Sequence, residues 1–285
     1  MPALGTAPDA GFWVALEQSG PWGAKAFTQS GLDPELGARL EAMVAAAGGR
    51  LLLVRDPLDH DARPGPRRLL VGGGPVAQPW LGATTVEQPE DLVALLEIAL
   101  DPSAGSDSLV GARLPDWLLP CLPVLLVCSN GKRDTCCAVN GGRLARTMAT
   151  RRPGRVWECT HLGGHRFATT ALVLPSRQVM ARVDEELAEQ ALDGRLLVLG
   201  PQQDRGRSDL PQHARVVDAW LRDRDGTTAP DAWRLYENGD VVEVRHADGR
   251  TEMLRATSQP LGIELPESCG KPAVPAASWQ VESLR

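Results

Sequence analysis

The sequence predicts an α/β fold in two parts, with an antiparallel β-meander at its end. Three observations predict it. Strand-like and helix-like patterns alternate through the first hundred residues. A second run of apolar strands and amphipathic helices follows a turn-rich stretch at DPSAGSDS (101–108). Asn238-Gly239 and Asp248-Gly249 then punctuate short alternating segments, as hairpin turns do. The expected divisions are an α/β domain over 1–115, a second over 116–225, and the meander with an extended tail over 226–285.

Each element has a local reason. Asp33 is placed to cap a helix, Pro34 suits its first turn, and Gly48-Gly49 ends it. Leu36, Leu40, Met43, Val44 and Ala47 form its apolar stripe. LLLV (51–54) and LLV (69–71) read as buried strands, separated by a polar, Pro-rich loop. A second helix is expected from Pro89 through Leu100. GlyGlyGly at 72–74 precedes proline rather than a helix, so it is no phosphate loop. In the second part PVLLVC (123–128) is a strand that ends on Cys128, and a helix is expected from Val139 to Ala149. RVWECTHL (155–162) and FATTALVL (167–174) are strands around a Gly-Gly break. Residues 178–192 read as an acidic helix, RLLVLG (195–200) as a strand and 210–223 as a last helix. This β-α-β-β-α order matches a thioredoxin-like unit. The meander is expected to have three strands over 232–257, with SCGKPAVPAASW extended on the surface. No internal repeat stands out.

Composition narrows the function classes. Of 285 residues, 43% are apolar and 23% charged, enough for a packed core. A net charge of −6 argues against nonspecific nucleic-acid binding. No apolar run approaches the roughly 18 residues that span a bilayer, and the opening MPALGTAPDAGFW lacks a secretory pattern. The expectation is a soluble, cytoplasmic protein. In a reducing compartment clustered cysteines point to metal or redox chemistry, and five of the six cysteines lie between 121 and 159.

Four residues carry the chemistry: Cys128 and Cys137, with eight residues between them, and His161 and His165, with three. Mixed sulfur and nitrogen donors suit zinc or an iron–sulfur cluster, whereas calcium and magnesium want oxygen. The Cys spacing is too wide for a zinc knuckle, and Gly163-Gly164 argues against a helical zinc face. Zinc and iron–sulfur both remain open on spacing. With zinc the chain would be a zinc-stabilised binding module without a redox role, and a third alternative is a thiol oxidoreductase using vicinal Cys136 and Cys137. Cys159 reads as a buried thiol, Cys121 and Cys269 as incidental, and His60, His213 and His246 as surface residues. Trp13 and Trp22 read as packing residues.

CSNGKRDTCC, WECTHLGGHRFA, ALVLP and RGRS (205–208), with EQSGPWGAKAF (17–27), resemble the sucrase/ferredoxin-like family. That resemblance implies a thioredoxin-like ferredoxin domain in which a His-x-Gly-Gly-His motif replaces a second Cys pair. It implies a 2Fe–2S cluster with one iron on Cys128 and Cys137 and the other on His161 and His165. An electron-transfer role follows, with an unidentified redox protein as donor or acceptor. Replacing two thiolates by imidazoles should raise the potential, and the second ring nitrogens would couple it to pH. Lys132, Arg133 and Arg166 would offset cluster charge or dock an acidic partner. No paired-carboxylate motif supports glycoside hydrolysis.

Overall fold

The computed structural model describes residues 2–61, 65–266 and 272–284. The chain opens with β1 (Trp13–Glu17), α1 (Pro34–Ala46), β2 (Arg50–Arg55), β3 (Arg67–Gly73), β4 (Trp80–Val86), α2 (Asp91–Ala99) and β5 (Leu119–Pro120). It continues with β6 (Val124–Cys128), α3 (Gly142–Arg151), β7 (Val156–Cys159), β8 (Ala171–Leu174), β9 (Gln178–Met180), α4 (Glu185–Ala191) and β10 (Asp204–Arg207). Last come α5 (Gln212–Asp225), β11 (Trp233–Asn238), β12 (Val241–His246), β13 (Thr251–Pro266) and β14 (Ala273–Leu284).

The expected mixed α/β architecture is present, but the strands of both parts join one mixed sheet of ten strands. Its order is β10-β9-β8-β6-β7-β2-β1-β3-β4-β5. Each half traces the same path. β1 and β2 are parallel, β3 returns antiparallel beside β1, and β4 and β5 follow antiparallel. β6, β7, β8, β9 and β10 repeat those pairings in that order. The halves meet where β2 pairs antiparallel with β7. The chain therefore does contain a repeat, one of topology. It is not visible in the sequence because the two copies do not share their loop chemistry or the Cys and His residues of the second.

The pleat explains the layers. Leu51 and Leu53 of β2 face a core completed by Leu40 and Val44 of α1 and Leu92 and Leu96 of α2. Leu125 and Val127 of β6 face Leu144 and Met148 of α3 and Leu187 and Ala191 of α4. The alternate residues Leu52 and Val54 in one half, and Leu126, Cys128 and Cys159 in the other, form one continuous core on the opposite face. Trp13 and Trp22 are both buried, as expected of packing residues.

The helix over 33–49 and that over 89–100 form close to their expected ends. Asp33 accepts the Leu36 N–H at 2.9 Å, and Asp101 caps a 3-10 turn over the stretch expected to be turn-rich. Three expectations fail locally. Residues 178–192 are strand β9 and then α4, capped by Asp184, because Arg182 takes a positive φ of 51° between them. Val179, Val183, Leu187 and Ala191 are nonetheless all buried. RLLVLG forms no strand. The Gln178 side chain takes the Leu197 N–H and C=O, at 2.9 and 3.0 Å, and leaves no ladder to build. The third is the three-stranded meander. Ala273–Leu284 pairs along β13 as a fourth strand of a separate sheet, in the order β11-β12-β13-β14. That sheet packs Trp233, Val242, Val244 and Leu254 on α5. The first residues of the tail, including Cys269, lie outside the described residues.

Thr160 fastens the two halves just beyond the β2–β7 pair. Its N–H donates to the Leu53 carbonyl at 2.9 Å, and its Oγ1 accepts the Leu53 N–H at 3.1 Å. Thr160→Val keeps the shape but strands that N–H in the core. Urea denaturation should show a loss of about 1–3 kcal/mol; an unchanged midpoint would mean that this bond does not hold the halves.

Candidate metal centre

Cys128 ends a fully buried strand, and its own N–H is held by the Thr170 carbonyl at 3.0 Å. The loop that follows is not free. Ser129 donates to the Cys159 carbonyl, and the Asn130 amide reaches across to the Gly23 carbonyl at 3.1 Å, tying the loop to the N-terminal half. Asp134 Oδ1 accepts the Cys136 N–H at 2.8 Å, so helical structure begins earlier than Val139. A π-helical turn over Cys137–Gly141 leads into α3. Gly141 allows that turn to lie on the Cys128 backbone, since a Cβ there would sit 2.1 Å from the Cys128 carbonyl oxygen. Cys137 is thereby buried beside Cys128, while Cys136 is only half-buried.

The histidines come from the loop after β7. Gly163 and Gly164 have φ of 74° and 71°, which turns the chain back so that the His161 and His165 rings stack at 4.1 Å. Cys137 Sγ lies 4.0 Å from His165 Nδ1, and Cys128 is hydrogen-bonded to His161, so each thiol meets one imidazole. The structure thus brings together all four residues singled out in the sequence. Among the described residues, no three His, Cys, Asp or Glu side chains are grouped as a site for a single metal ion. The donors meet as two pairs.

The two thiols are hydrogen-bonded to one another. A hydrogen bond from Cys137 holds Cys128 well below the usual thiol range against the opposing effect of burial, helped by His161 and the Leu162 N–H. The same bond, with burial, pushes the Cys137 thiol up. Burial, with neighbouring His161, lowers the pKa of His165 and favours the neutral ring that ligates metals. His161 Nδ1 is buried without a hydrogen-bond partner, an arrangement native proteins rarely leave unfilled.

Around these pairs, Glu158 is buried against Arg55 at 2.6 Å and accepts from Ser129 Oγ at 3.0 Å. Cys159 is buried as expected, and desolvation pushes its thiol up. Lys132 and Arg133 are exposed, and Arg166 lies over the Phe167 ring at 4.8 Å. A cleft of about 950 Å³ opens beside His161, walled by Lys25, Arg50 and Arg133 among others. The other histidines divide. His60 is exposed and His213 half-buried, whereas His246 is buried against Glu252 at 2.5 Å, contrary to its reading as a surface residue. It sits where β12 packs on α5, a packing that the meander's alternation alone did not place.

Arg205 was missed as a site residue, although it opens the RGRS stretch. It is buried and donates to the Leu162 and Gly163 carbonyls at 3.4 and 3.0 Å. A Cβ on Gly164 would lie 2.8 Å from its guanidinium carbon. Gly164→Ala should therefore destabilise the fold by at least the roughly 1–2 kcal/mol of a left-handed non-glycine residue. Denaturant midpoints of the two proteins measure it, and equal midpoints would show that the loop adapts.

A family model described as sucrase/ferredoxin-like matches residues 4–203, a span that includes all four converging side chains. No curated protein and no solved structure matches the chain. The match covers well over half of the sequence, from the N-terminal segment to the loop before β10. The chain belongs to the sucrase/ferredoxin-like family.

Proposed function

We propose that the chain binds one 2Fe–2S cluster, with Cys128 and Cys137 on one iron and His161 and His165 on the other, and serves as a one-electron carrier. The carrying observation is the pairing of the donors. A two-iron cluster takes its protein ligands two to each iron, and here a thiol pair and an imidazole pair meet at 4.0 Å. The donor chemistry also fits: a thiolate favoured at Cys128, a neutral ring favoured at His165 and an unpartnered Nδ1 on His161. The β6-α3-β7-β8-β9-α4 order, with β7-β6-β8-β9 adjacent in the sheet, supports a thioredoxin-like reading of this half.

When bound, such a cluster supplies reversible one-electron transfer. The chain's own residues do the rest. Buried β6 and the π turn keep Cys128 and Cys137 from water. His161 lines the cleft, and Lys25, Arg50 and Arg133 on its wall, set among Asp9, Glu41 and Asp209, offer contacts to acidic groups of a redox partner.

Protein purified without oxygen should be coloured and carry iron and acid-labile sulfide in equal amounts, and Cys128→Ser should lose both. Colourless, zinc-loaded protein would sink the proposal. His165→Cys should retain a cluster at a lower potential by voltammetry; an unchanged potential would show the ligand assignment to be wrong. Reversing Lys25 and Arg133 to Glu should slow oxidation of the reduced protein by ferricyanide several-fold at low salt, and little at high salt. Equal stopped-flow rates would remove the cleft from the electron path.

A further inference from the structure

The second half buries five arginines almost completely: Arg177, Arg205, Arg207, Arg215 and Arg222. Four of them have carboxylate partners. Arg177 and Arg207 share Asp209, each at 2.9 Å, Arg215 meets Asp9 at 2.6 Å, and Arg222 meets Asp218 at 2.9 Å and Asp204 at 3.2 Å. Arg205 differs. Its donors end on the Leu162 and Gly163 carbonyls and on Thr6, through Oγ1 at 3.1 Å and the backbone carbonyl. Among the described residues no carboxylate pairs with it. A buried charge left without a counter-charge is disfavoured even when hydrogen-bonded, so a fold that gives four such arginines carboxylates and the fifth only neutral acceptors calls for another source of negative charge beside it. Among the described residues, Cys128 is the negative group found to act on Arg205, together with whatever the thiol pair holds. Burial lowers Arg205 to about 10, and the charge on Cys128 is the first influence that opposes this.

Resting on the cluster reading above, we infer that Arg205 is the fixed counter-charge of the metal centre and the positioning residue of its histidine loop, and that it raises the centre's reduction potential. The charge balance gives the direction. Two ferric ions, two sulfides and two thiolates cancel, and neutral imidazoles add nothing. One added electron leaves a net negative centre, which a nearby guanidinium stabilises. Arg166 and Arg182 also lie by the Phe167 ring, at 4.8 and 5.4 Å, but both are half-exposed and so screened by water. Arg205 is shielded from solvent, where a unit charge acts at several times its aqueous strength.

The test uses the full-length protein loaded with its cluster and three variants. Arg205→Gln removes the charge and keeps amide donors. Arg205→Lys keeps the charge without the fork. Thr6→Asp leaves Arg205 in place but offers a carboxylate where Oγ1 now accepts from Nε. Iron, labile sulfide and thermal melting establish loading and folding, and voltammetry reads the midpoint. Poised at the wild-type midpoint, Arg205→Gln and Thr6→Asp should each show at least a tenfold lower reduced-to-oxidised ratio, about 59 mV for one electron. Arg205→Lys should stay within threefold of wild type. Should Arg205→Gln fail to fold, Thr6→Asp carries the test, because it keeps the buried arginine. Loaded variants with wild-type midpoints overturn the role of Arg205 alone. A wild-type chain that takes up no iron or sulfide overturns the cluster reading and this assignment with it.

Discussion

β2 and β7 pair at only two positions, Val54 with Cys159 and Arg55 with Glu158, yet the rest of the molecule is organised by that contact. Each strand would otherwise be the open edge of its own half, with unpaired N–H and C=O groups facing water. Their union closes both edges and makes one core continuous across the seam on one face of the sheet. It also sets the loops at the ends of β6 and β7 against the N-terminal half. Asn130 is held by Gly23, Thr160 by Leu53, and Arg205 by Thr6. The N-terminal half contributes none of the four converging side chains and still holds both loops that carry them.

Electrostatics explains why such bracing is needed. A site of thiols and imidazoles without internal bonding would collapse or take up water. Here a hydrogen bond joins Cys128 and Cys137, burial lowers the pKa of His165, and an arginine fills the space under the two glycines. The positive φ at Gly163 and Gly164 and the closeness of Arg205 are parts of one fit. The loop can curl to stack its two rings only if nothing larger than hydrogen occupies the side that the guanidinium fills.

What was legible in the sequence follows from range. Asp33 before an apolar stripe, Cys128 at the end of PVLLVC and the Asn-Gly turn each act within a few residues, and each was read correctly. The strand order, the repeat and the seam depend on contacts a hundred residues apart, as between Val54 and Cys159, and no local pattern encodes them. Residues 178–192 mislead for a definite reason. Their apolar positions recur every four residues, but one stretch is a buried strand and the next a helix, so a shared burial imitates one periodicity. Of the site, the four side chains that converge could be picked out from residue type and motif. Arg205 could not, because a buried arginine looks like any surface arginine until its surroundings are known.

The repeated topology has a consequence for how the site is maintained. Had the two halves been separate chains, the β2–β7 seam would be a dimer interface, formed or lost according to protein concentration. Joined in one chain, the seam closes within the molecule at a high effective concentration. The loops holding Cys128, Cys137, His161 and His165 therefore stay braced at any dilution. The half without donors acts as a permanently attached subunit, free to vary its own loops so long as Gly23, Leu53 and Thr6 keep their bonds across the join.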